Sequence, residues 1–502
     1  METIQHLFYG LGVALQPHNL LMCFIGVLLG TMVGVLPGLG PAAAMALLLP
    51  VTYGIDPIGA IIMLSGIYYG AMYGGSTTSI LLNIPGETAS VVTCIDGYQM
   101  ARKGRAGPAL GISAFGSFIG GTISIIGLML VAPPLATFAL RFGPPEYFCL
   151  MILGIIMVTF LAGDSMPKAL CMAAFGVFLG TVGTDILSGK ERFTFGIPIL
   201  FDGVGLVPVA MGLFGISEVL LNTELTLKAD VFKTTLKGLL PNLDDWKRSA
   251  MPILRGSVLG FFLGVLPGGG GVLASFASYA TEVKLSKHRE EFGKGAIEGV
   301  AGPESANNAG AGGAFIPLFT LGLPSNVVMA LLLGAMMIYG VQPGPRMISQ
   351  HPDLFWGVVA SMYLGNAMLV ILNLPLIGLW VQVLKVPYHL LFPLILLFCL
   401  VGAYSLNSNI DECTIMVVFG VMGYLFKKFE WPAAPLILAM VLGPTMEKTL
   451  RQSLLIADGS GWIFFTRPIS LVTLLICFAL LASSVLPAIK KKRQVFAESA
   501  DD

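Results

Sequence analysis

The chain has 502 residues, 55% of them apolar and 11% charged, and its formal net charge is zero. A soluble protein carries about 25% charged residues, so water is not the main solvent here. Without a net positive field, nothing recruits nucleic acid.

From the N-terminus, residues 1–17 lack the basic residues that precede a cleavable signal, and Gln16-Pro17-His18 interrupts the first apolar stretch. The first hydrophobic segment is therefore expected to stay in the mature protein. Stretches free of Asp, Glu, Lys and Arg run from Thr3 to Ile55, Pro57 to Gly86, Ala106 to Leu140 and Ser305 to Pro345. Each exceeds the ~20 apolar residues of a spanning helix. The seven cysteines are scattered through apolar runs without metal-ligand spacing, and they read as small apolar fillers.

A repeat divides the chain. Residues 29–40 read LGTMVGVLPGLG and residues 259–270 read LGFFLGVLPGGG, sharing Gly-Val-Leu-Pro-Gly. The match continues, with Asn83-Ile84-Pro85-Gly86 facing Gly322-Leu323-Pro324-Ser325, and Glu218 facing Glu447. The predicted organisation is an N-terminal segment 1–17, a first transmembrane repeat 18–222 and a cytoplasmic linker 223–247. A second repeat 248–450, a connecting loop with an extra C-terminal helix within 451–489, and a cytoplasmic tail 490–502 follow. Loop charge sets the relative orientation of the halves. Tyr53 to Asp56 corresponds to the basic run Lys284 to Arg289, whereas the basic Arg102 to Arg105 corresponds to Gln342 to Arg346. The alternating bias predicts opposite orientations. The fold class expected is all-α and polytopic, with two inverted-topology repeats, interrupted or re-entrant helices and an extra C-terminal helix.

Gly-Pro clusters at Pro37–Pro41, Pro85-Gly86, Pro267–Gly271 and Pro324–Asn326 fall inside apolar runs and should break helices. Non-helical backbone at membrane depth must be buried in protein or line a wet cavity. Interrupted helices at matching places in two halves point to a transporter's central site, because half-helix N-termini favour anions and free carbonyls hold Na⁺. The candidate substrate-binding residues are Ser76, Thr77, Thr78, Asn83, Gly86, Asn307, Asn308, Ser325 and Asn326. The candidate ion-binding residues are Gly38, Gly40, Glu87, Gly268, Gly270, Glu304 and Thr320, because an ionisable group within a spanning segment is a functional candidate by default. The competing reading makes Ser, Thr and Asn interhelical glue and Gly a close-approach residue. An anion channel and an intramembrane enzyme are the alternative functions.

Gly38-Leu39-Gly40-Pro41-Ala42-Ala43 fits the dinucleotide pattern G-x-G-x-x-A, but the duplicated copy at Gly268 to Ala274 lacks it. The glycines at Gly310, Gly312 and Gly313 precede no Lys-Ser/Thr, so they make no Walker loop. H-E-x-x-H and G-x-S-x-G are absent, and no enzymatic activity or cofactor is expected.

The runs GTMVGVLPGLGPAAAMALLLP (30–50), YYGAMYGGSTTSILLNIPGE (68–87), GVLPGGGG (264–271) and GPESANNAGAGGAFIPLFTLGLPSN (302–326) resemble TctA, the large membrane subunit of tripartite tricarboxylate transporters. The resemblance covers nearly the whole chain. It implies a bacterial inner-membrane protein working with a small TctB-like membrane subunit and a periplasmic TctC-like binding protein. It also implies uptake of citrate or another carboxylate, driven by a Na⁺ or H⁺ gradient without ATP.

Overall fold

In a computed structural model, the structure describes residues 2–36, 38–161, 165–185, 188–224, 238–268, 270–383, 386 and 388–485. The expected tail 490–502 and residues 225–237 of the expected linker 223–247 lie outside the described residues. The first half contains α1 (Glu2–Ala14), α2 (Pro17–Val35), α3 (Gly40–Leu48), α4 (Pro57–Leu82), α5 (Ala106–Ala139), α6 (Pro144–Leu161) and α7 (Met166–Gly180). It ends with α8 (Leu206–Glu224), which carries a π turn over Met211–Ile216. The second half contains α9 (Leu243–Val265), α10 (Gly270–Leu285), α11 (Glu298–Gly313), α12 (Phe315–Leu321), α13 (Val327–Ile338) and α14 (Pro352–Asn373). After these come α15 (Tyr388–Asn407), α16 (Ile410–Lys428), α17 (Ala433–Ile456) and α18 (Pro468–Val485). Among the described residues the only β-structure is one two-residue pair, Gly183–Thr184 with Glu191–Arg192.

Six helices are long and apolar enough to cross a membrane: α2, α4, α5, α8, α14 and the Leu390–Asn407 part of α15. With α3, α6, α7, α13 and α18 as shorter apolar helices, the protein is an all-α, multi-pass membrane protein. The extra C-terminal helix is α18, packed on α6, and its described part ends at Val485.

Glycine spacing decides which helices touch. In α2, an ideal Cβ on Gly26, Gly30 or Gly34 would lie 2.3, 2.5 or 2.3 Å from the carbonyl oxygens of Met63, Ile67 and Ala71 in α4. In α9, Gly256, Gly260 and Gly264 bear the same relation to Gly302, Ala306 and Gly310 of α11, at 2.3, 2.2 and 2.2 Å. Only a hydrogen fits at these six places, and close backbone approach replaces the hydrophobic drive that lipid cannot supply between helices.

The two inner pairs run in opposite senses. Leu82, at the end of α4, packs with Met100, Ala109 and Ile297, next to the start of α11. At the other end, the Tyr339 hydroxyl donates to the Thr52 carbonyl at 2.5 Å, just before α4 begins. The loops after α4 and before α11 therefore share one face, where Lys103 donates to the Lys294 carbonyl at 2.5 Å and Arg105 pairs with Asp245. The Asp96 carboxylate clamps the same face, accepting from the Gly295 and Ala296 amides at 2.7 and 2.9 Å and from the Tyr279 hydroxyl at 3.0 Å. Around this centre the outer helices exchange partners between halves, α7 packing on α17 and α8 on α16.

Candidate functional site

The helix breaks bring four segments to one cavity of ≈ 490 Å³. Its walls include Gly38, Gly40, Gly86, Glu87, Thr88, Gly268, Gly270 and Asn326. Left-handed backbone makes the turns possible, and it recurs at matching positions: Gly38 and Gly268 (φ 85° and 78°), Gly40 and Gly270 (57° and 46°), Asn83 and Gly322 (58° and 69°). Glycine has no Cβ to clash there, and Asn tolerates the region better than most residues. After Asn83 the chain doubles back until Gly86 touches Gly75, where a Cβ would lie 2.4 Å from the Gly75 Cα. The second half closes its own hairpin with the Gly268 amide donating to the Ser325 carbonyl at 2.6 Å. The first residues of α3, α10 and α13 all line the cavity, so three helix N-termini border it; at α13 the Met329 amide is capped by Asn326 Oδ1 at 2.9 Å.

Two hydrogen bonds cross between the halves as mates. Asn307 of α11 donates to the Glu87 carboxylate at 2.7 Å. Asn326 donates to the Tyr68 hydroxyl of α4 at 3.1 Å. Glu87 and Asn326 hold the same place in their hairpins, each the N-cap of the segment that follows, and Tyr68 holds in α4 the place that Asn307 holds in α11. The two matching N-cap positions thus share a frame and differ in charge, acid at Glu87 and amide at Asn326.

Behind the cavity, Glu304 is 1% exposed. Its carboxylate accepts from Ser76 at 2.5 Å, from Thr93, and from Ser117 at 3.4 Å, all first-half hydroxyls. Asn308 extends the network, donating to Ser117 at 2.8 Å and to the Glu304 carbonyl at 3.2 Å. No Lys, Arg or His among the described residues pairs with Glu87 or Glu304. Two fully buried polar atoms beside the hairpins, Asn307 Oδ1 and Ser325 Oγ, have no hydrogen-bond partner among the described residues. Asn307 Oδ1 sits against Gly271, where a Cβ would come within 2.1 Å. A buried acceptor without a donor is where a cation or a substrate hydroxyl gains most.

Of the residues singled out in the sequence, Gly38, Gly40, Gly86, Glu87, Gly268, Gly270 and Asn326 line the cavity. Ser76, Asn307, Asn308, Ser325 and Glu304 form its buried support. The structure does not bring the others together with them. Thr77 is buried within α4, the Thr78 hydroxyl donates to the Val35 carbonyl at 2.8 Å, and the Thr320 hydroxyl donates to Ile316 at 2.7 Å. Asn83 is exposed at its turn, where its left-handed backbone takes the place that Gly322 takes in the second half.

Glu218, marked in the sequence only as the repeat mate of Glu447, lines the cavity with Lys427 and forms an ion pair with it. Its other oxygen lies where a Cβ on Gly38 would reach to 2.7 Å, so the first hairpin tip rests on this carboxylate. The one group of His, Cys, Asp and Glu with metal-ligand spacing among the described residues is His288, Glu290 and Glu291 on a surface loop. Hydrogen bonding to Arg248 already engages Glu291 and holds its carboxyl below the usual range.

Opposed hairpins that meet around a cavity edged by a few buried polar groups, inside an apolar helical body, define a membrane transport protein. The chain belongs to the tripartite tricarboxylate transporter TctA family, whose description matches residues 20–438. It is 52% identical over 499 residues to the "Uncharacterized 52.8 kDa protein in TAR-I ttuC' 3'region" of Agrobacterium vitis, covering 99% of each chain. A second Agrobacterium vitis protein, from the TAR-II ttuC' 3'region, is 52% identical over 240 residues, 48% of this chain and 99% of that one. The uncharacterized protein MJ1079 of Methanocaldococcus jannaschii is 24% identical over 201 residues, 38% of this chain and 47% of that one. The chain is accordingly a component of a tripartite tricarboxylate transporter.

Proposed function

We propose that the chain is the permease subunit for secondary uptake of small di- or tricarboxylates, citrate among them, coupled to inward movement of Na⁺ or H⁺. The observation that carries this reading is the charge difference between otherwise matching hairpins. Both buried acids, Glu87 and Glu304, bond to groups that leave them without a cationic partner, whereas the Asn326 side is neutral. A coupling cation has its ligands on the acidic side, among Glu87, Glu304 and the unpartnered Asn307 Oδ1. A carboxylate has the helix N-termini of α3, α10 and α13 and the Asn326 amide. Amide and N–H donors hold an anion less tightly than a fixed guanidinium, which suits release.

In this reading the protein lies in the bacterial inner membrane with its C-terminus in the cytoplasm. A periplasmic TctC-like protein delivers substrate, and a small TctB-like subunit accompanies the permease.

The test is citrate uptake into proteoliposomes holding all three subunits. Accumulation is expected only with an imposed Na⁺ or H⁺ gradient and with the binding protein present, and Asn308→Ala is expected to reduce it at normal membrane insertion. Accumulation without any gradient, or wild-type uptake by Asn308→Ala, contradicts the proposal.

A further inference from the structure

A more polar cavity than the central one, of ≈ 560 Å³, lies at the Gly322 end of the molecule, between the 342–350 segment and α17. Its charged members are Arg346 and Lys448, and no acid is among its described walls. Gln342, Gln350, Thr445 and Gln452 add uncharged polar groups. Other charges on α17 are spent on each other or on neighbours. Glu447 bonds Arg192 and Arg451, and Arg451 also bonds Asp185. Neither Arg346 nor Lys448 has an acidic group within 4.0 Å among the described residues.

The cavity is mechanically tied to the second hairpin. Gly344 donates to the Phe319 carbonyl at 3.2 Å, and a Cβ on Gly322 would lie 2.9 Å from the Pro343 carbonyl. Directly behind it, sharing Met337 and Val441 as a wall, lies a cavity of ≈ 590 Å³ whose charged members are acidic, Asp202 and Glu412. Opposite potentials on the two sides of one wall sort ions by sign, drawing an anion to the Arg346 side alone. Loop charge assigns the 342–346 segment to the side away from the cytoplasm.

We infer that Arg346 and Lys448 form an outer anion site, where a carboxylate lodges before it passes the second hairpin to the central cavity. This inference rests on the carboxylate-uptake reading. Two cations on separate elements match a substrate with two or more carboxylates, one group to each. Citrate, with three, and succinate, with two, are the probes.

The experiment is equilibrium binding of radiolabelled citrate and succinate to the full chain in nanodiscs of zwitterionic phosphatidylcholine. The double variant Arg346→Gln, Lys448→Gln is expected to raise the half-saturating citrate concentration about tenfold or more, since two charge-assisted contacts are lost. It is also expected to flatten the salt dependence that the wild type shows. The charge-conserving Arg346→Lys, Lys448→Arg is expected to restore most of both, which separates a charge effect from misfolding. In transport assays the double variant is expected to raise KM more than it lowers the maximum rate.

Half-saturation within about twofold of wild type, with salt dependence intact, overturns the outer site. So does loss of co-purified anionic phospholipid in the double variant with citrate binding unchanged, which assigns the cations to a lipid headgroup. If the wild type binds neither probe, the carboxylate reading itself falls. If it binds and the double variant binds equally, only the outer site falls.

Discussion

The two hairpins share a backbone and differ in what their tips rest on. In the first half, Gly38 lies against Glu218, which pairs with Lys427 from the other half, and the following N-cap is Glu87. In the second half, Gly268 is held by the Ser325 carbonyl, and the N-cap is the neutral Asn326. Glu447, which matches Glu218, binds Arg192 and Arg451 and does not line the central cavity. Duplication therefore conserves how the chain turns, while the charge at each turn has been free to diverge. The proposed symport would draw on that divergence, because an anion and a cation held in one pocket require unlike surroundings.

The comparison breaks most severely where the halves are most alike. Gly30→Leu and Gly260→Leu each push a side chain into a carbonyl oxygen that a Cβ alone would meet at 2.5 or 2.2 Å. Both are expected to cost more than about 4 kcal/mol and to abolish a monodisperse membrane-inserted chain, measured by yield and gel filtration in detergent. If only one does so, the two inner pairs are not equivalent in load.

A smaller effect should separate the hairpins by charge. Glu304→Gln keeps the shape of the hydroxyl-lined pocket and removes the charge, and uptake is expected to fall roughly tenfold or more and to lose its response to the coupling gradient. Glu87→Gln is expected to weaken that gradient response as well. Asn326→Ala, at the matching place, is expected to raise the KM for citrate while the gradient response stays. Equal ion dependence in Glu87→Gln and Asn326→Ala would erase the proposed division of labour.

The mildest change falls at the left-handed turn. Asn83→Gly supplies the backbone of its counterpart Gly322, and transport is expected to stay within about twofold of wild type. Asn83→Val is expected to destabilise by about 1–2 kcal/mol, seen as a lower unfolding temperature. A large loss of transport in Asn83→Gly would return the amide to the site.

Much of this was legible in residue order, for a physical reason. Helix breaks inside lipid need glycine and proline, so the positions of Gly38, Gly40, Gly268 and Gly270 announced the hairpins. Loop charge then agreed with the shared face on which Lys103 meets Lys294. What stayed hidden depends on distant pairing. Glu218 and Lys427 meet across the halves, and nothing near either residue marks a partner so far along the chain. Asn83 carried two readings at once: the amide that suggests ligand binding is also the side chain best suited, after glycine, to a left-handed turn. Arg346 was read only for orientation, and Lys448 not at all, because loop and helix-end cations ordinarily report orientation in the bilayer.

The exchange of outer helices, α7 onto α17 and α8 onto α16, bears on how the protein is made. During synthesis the N-terminal part emerges with two apolar helices whose mates are not yet translated. Those surfaces wait in lipid until the ribosome has delivered almost the entire chain, so final assembly comes late. Neither half is a self-sufficient unit, and severing the chain between them would yield fragments that must find each other to regain a native structure.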